Sequence, residues 1–364
     1  MTPHERFLAW MRFAPADRPP LWEWGPWPST LRRWRREALG PEGDPPELAE
    51  CDARTTCGQD LWMLPRFPEA VLAEDAEAIT RRTARGQVTR TLTDPDAPTM
   101  PEHIAFPVAT RSDWLALKKR FDPSDPARLP GDWMQRCRRW RREGPVLLFK
   151  GERSPSLFGF VRELMGPEGA MLALYDDPWL VHDMMETSAE VAGAVLARAS
   201  AAAPLTAVFF WEDMCYRAGP LISPAMFREF MSPRYRRVTD VARGLGLDVI
   251  MVDSDGDVSE LIPLWLDAGV NGVYPMEVAA GMDVVRLRRE YGRELLMTGG
   301  IDKRALARDR AAIDAELARC VPVAEGGGYI PHLDHAIPHD VPYESFAYYW
   351  RRKKALLGPG PDGA

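Results

Sequence analysis

From Pro145 onward the chain alternates short apolar runs with longer amphipathic ones, and this alternation limits the fold more than any other feature. The strand candidates are Val146–Lys150, Ala207–Trp211, Asp248–Val252, Gly272–Pro275, Leu295–Thr298 and Gly328–Pro331. Helical patterns fall near Asp177–Ala202, Ser223–Gly244, Val258–Ala268, Asp283–Tyr291, Arg308–Ala324 and Tyr343–Leu357. A strand then a helix, repeated every roughly 25 to 45 residues, argues for parallel pairing through helical crossovers. An early run, Arg18 to Trp27 (RPPLWEWGPW), reads as a first buried strand, and one more strand hidden in the irregular part brings the count to about eight. The expectation is therefore α/β, a (β/α)8 TIM barrel forming a single domain over 1–364. An open doubly wound sheet stands second, because no glycine-rich phosphate loop follows the first strand.

Residues 47–145 are irregular and are expected to form an insertion over the strand ends. Ala78 to Leu92 alternates as a hairpin turning at Arg85-Gly86, residues 94–107 are rich in proline, and two helices gather around Trp114 and Trp133. A net charge of −7 argues against nucleic acid or an anionic membrane as the main partner. No apolar run approaches a membrane span and the first residues lack a signal-peptide core, while five scattered cysteines without a CxxC pair fit a reducing compartment. A cytoplasmic enzyme acting on a small molecule is the expectation.

In such a barrel the chemistry sits just after the strands. Lys150 ends the first strand of the regular half, and Trp211 is followed by Glu212 and Asp213. Asp253 and Asp255 follow the next strand, Glu277 the one after, and His332, Asp334 and His335 the last. Asp253 and Asp255 are two apart, so in extended chain they share a side, where like charges raise one pKa unless a cation lies between. A divalent metal held by Asp253, Asp255, Glu277 and His335 would satisfy that arrangement. The stretch Asp253 to Asp257 also resembles the start of a calcium loop, but the distal glutamate is missing. Helix capping explains Ser254 and Asp257 and leaves Asp253 unexplained.

Glu23 lies between Trp22 and Trp24, and burial of a carboxylate there requires a polar cavity or a cationic partner. Trp22, Trp24, Trp211, Asp213, Tyr216, Lys150 and His332 are the further candidates for the pocket wall. The tryptophans have core filling as their plainer role.

Four stretches together resemble the uroporphyrinogen decarboxylase superfamily, which includes corrinoid-linked methyltransferases. They are Trp211 to Val238, Asp248 to Val278, Leu295 to Asp302 and Gly326 to Phe346. The resemblance implies a barrel with its site at the strand ends. The decarboxylases carry an N-terminal motif of the type R-x-P-x-W-x-M-R-Q-A-G-R, whose arginines hold substrate carboxylates. Here Arg18 to Gly25 reads RPPLWEWG, and Glu23 stands near the place of those arginines. That disfavours uroporphyrinogen itself. His335 falls where the decarboxylases have a histidine. In the methyltransferase branch the zinc ligands align with Asp253, Asp255 and His335, so carboxylate and imidazole replace thiolates and a harder metal or a weaker zinc site is implied.

Two enzymatic readings follow, and a ligand-binding barrel is the third. The first is metal-assisted methyl transfer or demethylation of a small methylated compound, with zinc, manganese or iron and a corrinoid protein as partner, and with Asp253, Asp255, His335 and Glu212 carrying the chemistry. The second is a metal-free decarboxylase or lyase of a small carboxylate, in which His335 and Asp253 move protons and Lys150 or an arginine holds the substrate.

Overall fold

The computed structural model describes residues 1–94 and 101–358, so part of the proline-rich stretch 94–107 lies outside the described residues. In chain order the strands are β1 (Arg54–Thr56), β2 (Ala70–Glu74), β3 (Ala78–Arg82), β4 (Val88–Leu92), β5 (Glu102–Ala105), β6 (Val146–Phe149), β7 (Ala207–Trp211), β8 (Cys215–Tyr216), β9 (Gly219–Pro220), β10 (Ile250–Asp253), β11 (Gly272–Tyr274), β12 (Leu296–Ile301) and β13 (Tyr329–Leu333). Seven of them form one sheet in the order β1-β6-β7-β10-β11-β12-β13, every pair parallel. All carboxyl ends therefore lie on one side.

Period-two alternation builds two cores from this sheet. Leu147, Phe149, Val208, Phe210, Ile250 and Val252 pack under the helices. Their neighbours Val146, Leu148, Ala207, Phe209, Met251 and Ile330 turn to the other face, where the helix Pro3–Met11 adds Phe7 and Met11. A sheet buried on both faces explains why its strands read as continuous apolar runs. Crossover helices begin where aspartate accepts a backbone N–H: Asp177 before Pro178–Ser200, Asp283 before Val284–Tyr291 and Asp309 before Arg310–Ala324. The helix Phe158–Asp176 was not expected, because Gly166-Pro167 interrupts its pattern, with Gly166 at φ +79.

The expected early strand is corrected. Residues 18–27 form no ladder, since Pro19, Pro20 and Pro26 have no N–H to donate. The segment instead crosses between β13 and β1 on single contacts: Asp52 N donates to the Leu21 carbonyl (2.9 Å), Ile337 N to the Gly25 carbonyl (3.2 Å) and Trp27 N to the Ile337 carbonyl (3.0 Å). Among the described residues the sheet thus has seven hydrogen-bonded strands rather than eight, and the strand hidden in the irregular part is β1.

The hairpin expected over Ala78 to Leu92 is present as β3 and β4, turning at Gly86 (φ +85), and β2 and β5 extend it to four antiparallel strands. Arg85 and Gln87 tie it to Glu163, which also receives Arg153 from the loop after β6. The helices Arg111–Lys118 and Trp133–Glu143 bury Trp114 and Trp140. Among the described residues no helix is long and apolar enough to cross a membrane.

Candidate active site

Lys150, Asp253 and Tyr274 meet at the ends of β6, β10 and β11. Parallel register sets Asp253 beside Tyr274, and the Tyr274 hydroxyl donates to Asp253 Oδ2 at 2.8 Å. The Lys150 ammonium reaches the same oxygen at 3.2 Å and also donates to the Tyr274 oxygen. Burial, reinforced by the Asp253 charge, pushes Tyr274 well above the ordinary phenol range, so it stays a protonated donor.

This triad borders a cavity of about 290 Å³ lined by Trp22, Trp24, Arg54, Phe209, His332 and Tyr274, with Lys150. Arg54 enters from β1, its guanidinium 4.6 Å from the Trp22 ring centre and donating to the Glu23 carbonyl at 2.7 Å. No carboxylate among the described residues pairs with it. The wall therefore carries a guanidinium that feels the Glu23 charge but makes no direct ion pair with a described residue. His332 Nδ1 lies 2.7 Å from the Leu333 carbonyl, so this nitrogen carries the proton. Burial pushes its pKa down to about 3, which leaves a neutral ring whose Nε2 bears a lone pair.

Asp255 and His335 stand at the mouth, 3.8 Å apart. The His335 ring is stacked between Trp24 and Trp27, at centroid distances of 6.1 and 5.9 Å. Burial first, and then the carboxylates of Asp253, Asp213 and Glu277, push Asp255 up to about 7. Burial and Lys303 push His335 down. The pair thus favours a protonated carboxyl facing an unprotonated imidazole. An outer recess of about 370 Å³ adjoins it, lined by Asp213, Tyr216, Arg217, Asp255 and Glu277. The β8–β9 hairpin that bounds this recess packs on Gly256 (φ +85), where a Cβ would lie 2.6 Å from the Cys215 backbone.

Other candidates serve the framework. Glu212, expected in catalysis, is fully buried and accepts from Leu157 N (2.8 Å), Gly159 N (2.9 Å) and the Tyr235 hydroxyl (2.8 Å), so it clamps the start of the helix Phe158–Asp176. Burial outweighs those bonds and pushes it up to about 7. Glu23, expected at the substrate, is turned away by a fully buried ion pair with Lys353 (2.6 Å). Tyr349 (2.6 Å), Leu333 N (2.9 Å) and Trp24 N (3.0 Å) also donate to it. Burial alone would raise its pKa, but the Lys353 ammonium and the Tyr349 hydroxyl lower it below its ordinary value. Trp211 sits between the guanidinium groups of Arg153 and Arg162, at 5.3 and 5.1 Å. Asp213 pairs with Arg162 at 2.7 Å, and Tyr216 is largely exposed. Asp334 is buried and joins Val278 N to Lys303.

The expected metal set is not assembled. Among the described residues no three His, Cys, Asp or Glu side chains converge in metal-holding geometry. Lys150 and Tyr274 aim donors at Asp253, and Gly256 N donates to Glu277 Oε2 at 3.0 Å. Asp253 Oδ2 is already taken by an ammonium and a phenol, so these residues as placed do not fit a divalent ion.

Arg54 and Tyr274 were missed as site residues. The three residues of β1 are too few for a periodic signal, and Tyr274 reads as one more apolar position of its strand. Only the acid ending the neighbouring β10 hinted at a polar role for it.

A family model described as "Uroporphyrinogen decarboxylase (URO-D)" matches residues 156–355. A curated uroporphyrinogen decarboxylase from Xanthomonas axonopodis pv. citri (strain 306) is 28% identical over 185 residues, 46% of this chain and 47% of that protein. The chain thus spans about half the length of the relative it matches. Among solved structures, 3-keto-L-gulonate-6-phosphate decarboxylase from Vibrio cholerae O1 biovar El Tor str. N16961 aligns at 14% identity with a TM-score of 0.23, over 44% of this chain and 68% of that one.

Proposed function

Because the chain belongs to the uroporphyrinogen decarboxylase family, we propose that it removes carbon dioxide from a small carboxylate in the cavity beside Lys150, Asp253 and Tyr274. The observation that carries this reading is the Arg54 guanidinium, which lines an aromatic cavity with no carboxylate paired to it among the described residues. A guanidinium exposed to the cavity with no carboxylate at ion-pair distance among the described residues suits an anionic ligand, and its fork matches a carboxylate. The size, about 290 Å³, lies at the lower edge of the roughly 300–1,000 Å³ of small-molecule sites. The porphyrinogen stays disfavoured because the arginines of the family's N-terminal motif are absent from Arg18 to Gly25, which leaves its many carboxylates without those partners.

In this reading Arg54 holds the carboxylate and the Lys150–Tyr274 pair is the proton source. The bond between carbon and carboxylate breaks, carbon dioxide leaves, and the carbon takes a proton from that pair. Asp253 positions both donors. The segment Leu21–Gly25 is read as the eighth stave closing the barrel, and β2–β5 with the two following helices as a cover within the same domain. Methyl transfer with a corrinoid partner, expected first, gains no support from a site in which Asp253 already holds an ammonium group.

The test is carbon dioxide release over a panel of small carboxylates with uroporphyrinogen beside them, for the native chain and Arg54→Leu. At least one small acid is expected to react, and Arg54→Leu to lower kcat/KM about 100-fold, mainly through KM. Release from uroporphyrinogen alone, or an unchanged KM in the variant, would overturn the reading.

Asp255 adds a pH dependence. Below about pH 7 it is protonated, and above that it places another negative charge at a mouth that already holds Asp253, Asp213 and Glu277. KM for an anionic substrate is expected to rise as pH increases through about 7, and Asp255→Asn to flatten that rise. A KM profile identical in the two proteins would remove Asp255 from substrate entry.

A further inference from the structure

His332 offers the cavity an acceptor that no described residue uses. Only 3% of this residue is exposed, and it lines the cavity with Arg54 and Lys150. Its Nδ1 proton goes to the Leu333 carbonyl, so Nε2 is the acceptor, and it has no hydrogen-bond partner among the described residues. Unlike the indole nitrogens of Trp22 and Trp24, which are sealed in packing, Nε2 keeps open surface, and the cavity is the space it faces. Thr298, level with Ile330 on the neighbouring strand β12, lines the same space, and its hydroxyl is also unpaired among the described residues. Burial first, and then the charges of Glu23 and Arg54, act on the His332 ring, so the acceptor and the guanidinium border one ligand space. An acceptor so enclosed is costly to leave unmade and points to a donor that a ligand brings.

Charge and proton count narrow that donor. An ionised carboxylate only accepts, so the group facing His332 is a second group of the ligand. An ammonium would enter beside Arg54 and Lys150, where like charges oppose it. Asp253 and Glu23 would not relieve it, because Lys150 and Lys353 already hold them. A carbonyl brings no proton. A hydroxyl gives one proton and accepts another, which suits the His332 lone pair together with the Thr298 hydroxyl. At the ~30 Å³ that a water occupies in the liquid, about 290 Å³ seats roughly ten non-hydrogen atoms, so acid and hydroxyl belong to one small molecule.

We infer that His332 is a specificity residue and that the substrate is a small carboxylic acid carrying a free hydroxyl, its carboxylate on Arg54 and its hydroxyl donating to His332 Nε2. This rests on the decarboxylase reading above and names its substrate class. The hydroxyl is a handle for binding. Its O–H bond stays intact while carbon dioxide leaves and the proton arrives from the Lys150–Tyr274 pair. The neutral ring is what makes the selection, because an imidazolium would carry a second N–H there and could not accept a hydroxyl proton.

Calorimetric binding to the full chain tests the inference with butyrate, 2-, 3- and 4-hydroxybutyrate, 3-methylbutyrate and 3-aminobutyrate. At least one hydroxybutyrate is expected to bind about tenfold tighter than butyrate and than 3-methylbutyrate, in which a methyl stands for the hydroxyl. The ammonium of 3-aminobutyrate should bring no such gain. His332→Phe keeps a ring and removes the acceptor, so it should erase the hydroxyl advantage while leaving butyrate nearly unchanged. His332→Gln, whose amide oxygen accepts, should keep part of it. Equal binding of butyrate and every hydroxybutyrate overturns the inference and leaves the decarboxylase reading in place, and so does tightest binding by 3-aminobutyrate or an advantage that survives His332→Phe. No binding by any of these acids overturns both. The ranking in the native chain decides the matter even if neither variant folds.

Discussion

Asp253→Asn is expected to lower kcat about 10²- to 10⁴-fold, the range for loss of an acid–base arrangement, with KM changed little. The carboxylate is the common acceptor for Lys150 and Tyr274. An amide keeps the shape but removes the charge that fixes the ammonium, and it turns one acceptor position into a donor facing two donors. Arg54 lies outside this triad, so binding of the carboxylate should survive. Steady-state kinetics on the substrate found by carbon dioxide release would show the split between kcat and KM. A kcat within about threefold of native, well under the smallest such effect, would remove the triad from the chemistry.

The largest effect on stability is expected at Lys353, far in sequence from any motif. Its ammonium and the Glu23 carboxylate are both fully buried, and Lys353 also donates to the Trp22 carbonyl at 2.9 Å. Lys353→Met leaves Glu23 charged in an apolar surround or forces it to take a proton, and removing one member of such a pair costs about 3–5 kcal/mol. For a chain of this size that is a melting temperature lower by about 5 °C. The double variant Glu23→Leu with Lys353→Met should recover most of the loss, because the desolvation cost goes with both charges. Chemical denaturation of the three proteins checks this. A single variant as stable as the native chain would mean that the pair contributes nothing to the fold.

These two sites show what could be read from the residues alone. The alternation after Pro145 is legible because strands buried on both faces must be apolar throughout, and six of the seven parallel strands appear where that pattern put them. The seventh, Arg54–Thr56, is polar, exposed and three residues long, so it gives no periodic signal. The proline-rich segment at 18–27 looks apolar enough for a strand yet lacks the donors for one. Strand-end residues behaved in the same divided way. Lys150, Asp253, Asp255 and His335 do gather at the carboxyl ends. Glu23 and Glu212 looked equally functional, but Glu23 answers to Lys353, 330 residues later, and Glu212 to the backbone of Leu157 and Gly159. Whether an acid at a strand end works as a catalyst, an anchor or an ion pair depends on partners that only the folded chain supplies.

The most direct test of the decarboxylase reading is a reaction run in D₂O with chelator-treated protein, following carbon dioxide and the position of deuterium in the product by NMR. Release of carbon dioxide with a single deuterium on the carbon that carried the carboxylate is the expected result. Methyl transfer without carbon dioxide, or activity that vanishes on chelation and returns with zinc, manganese or iron, would contradict it.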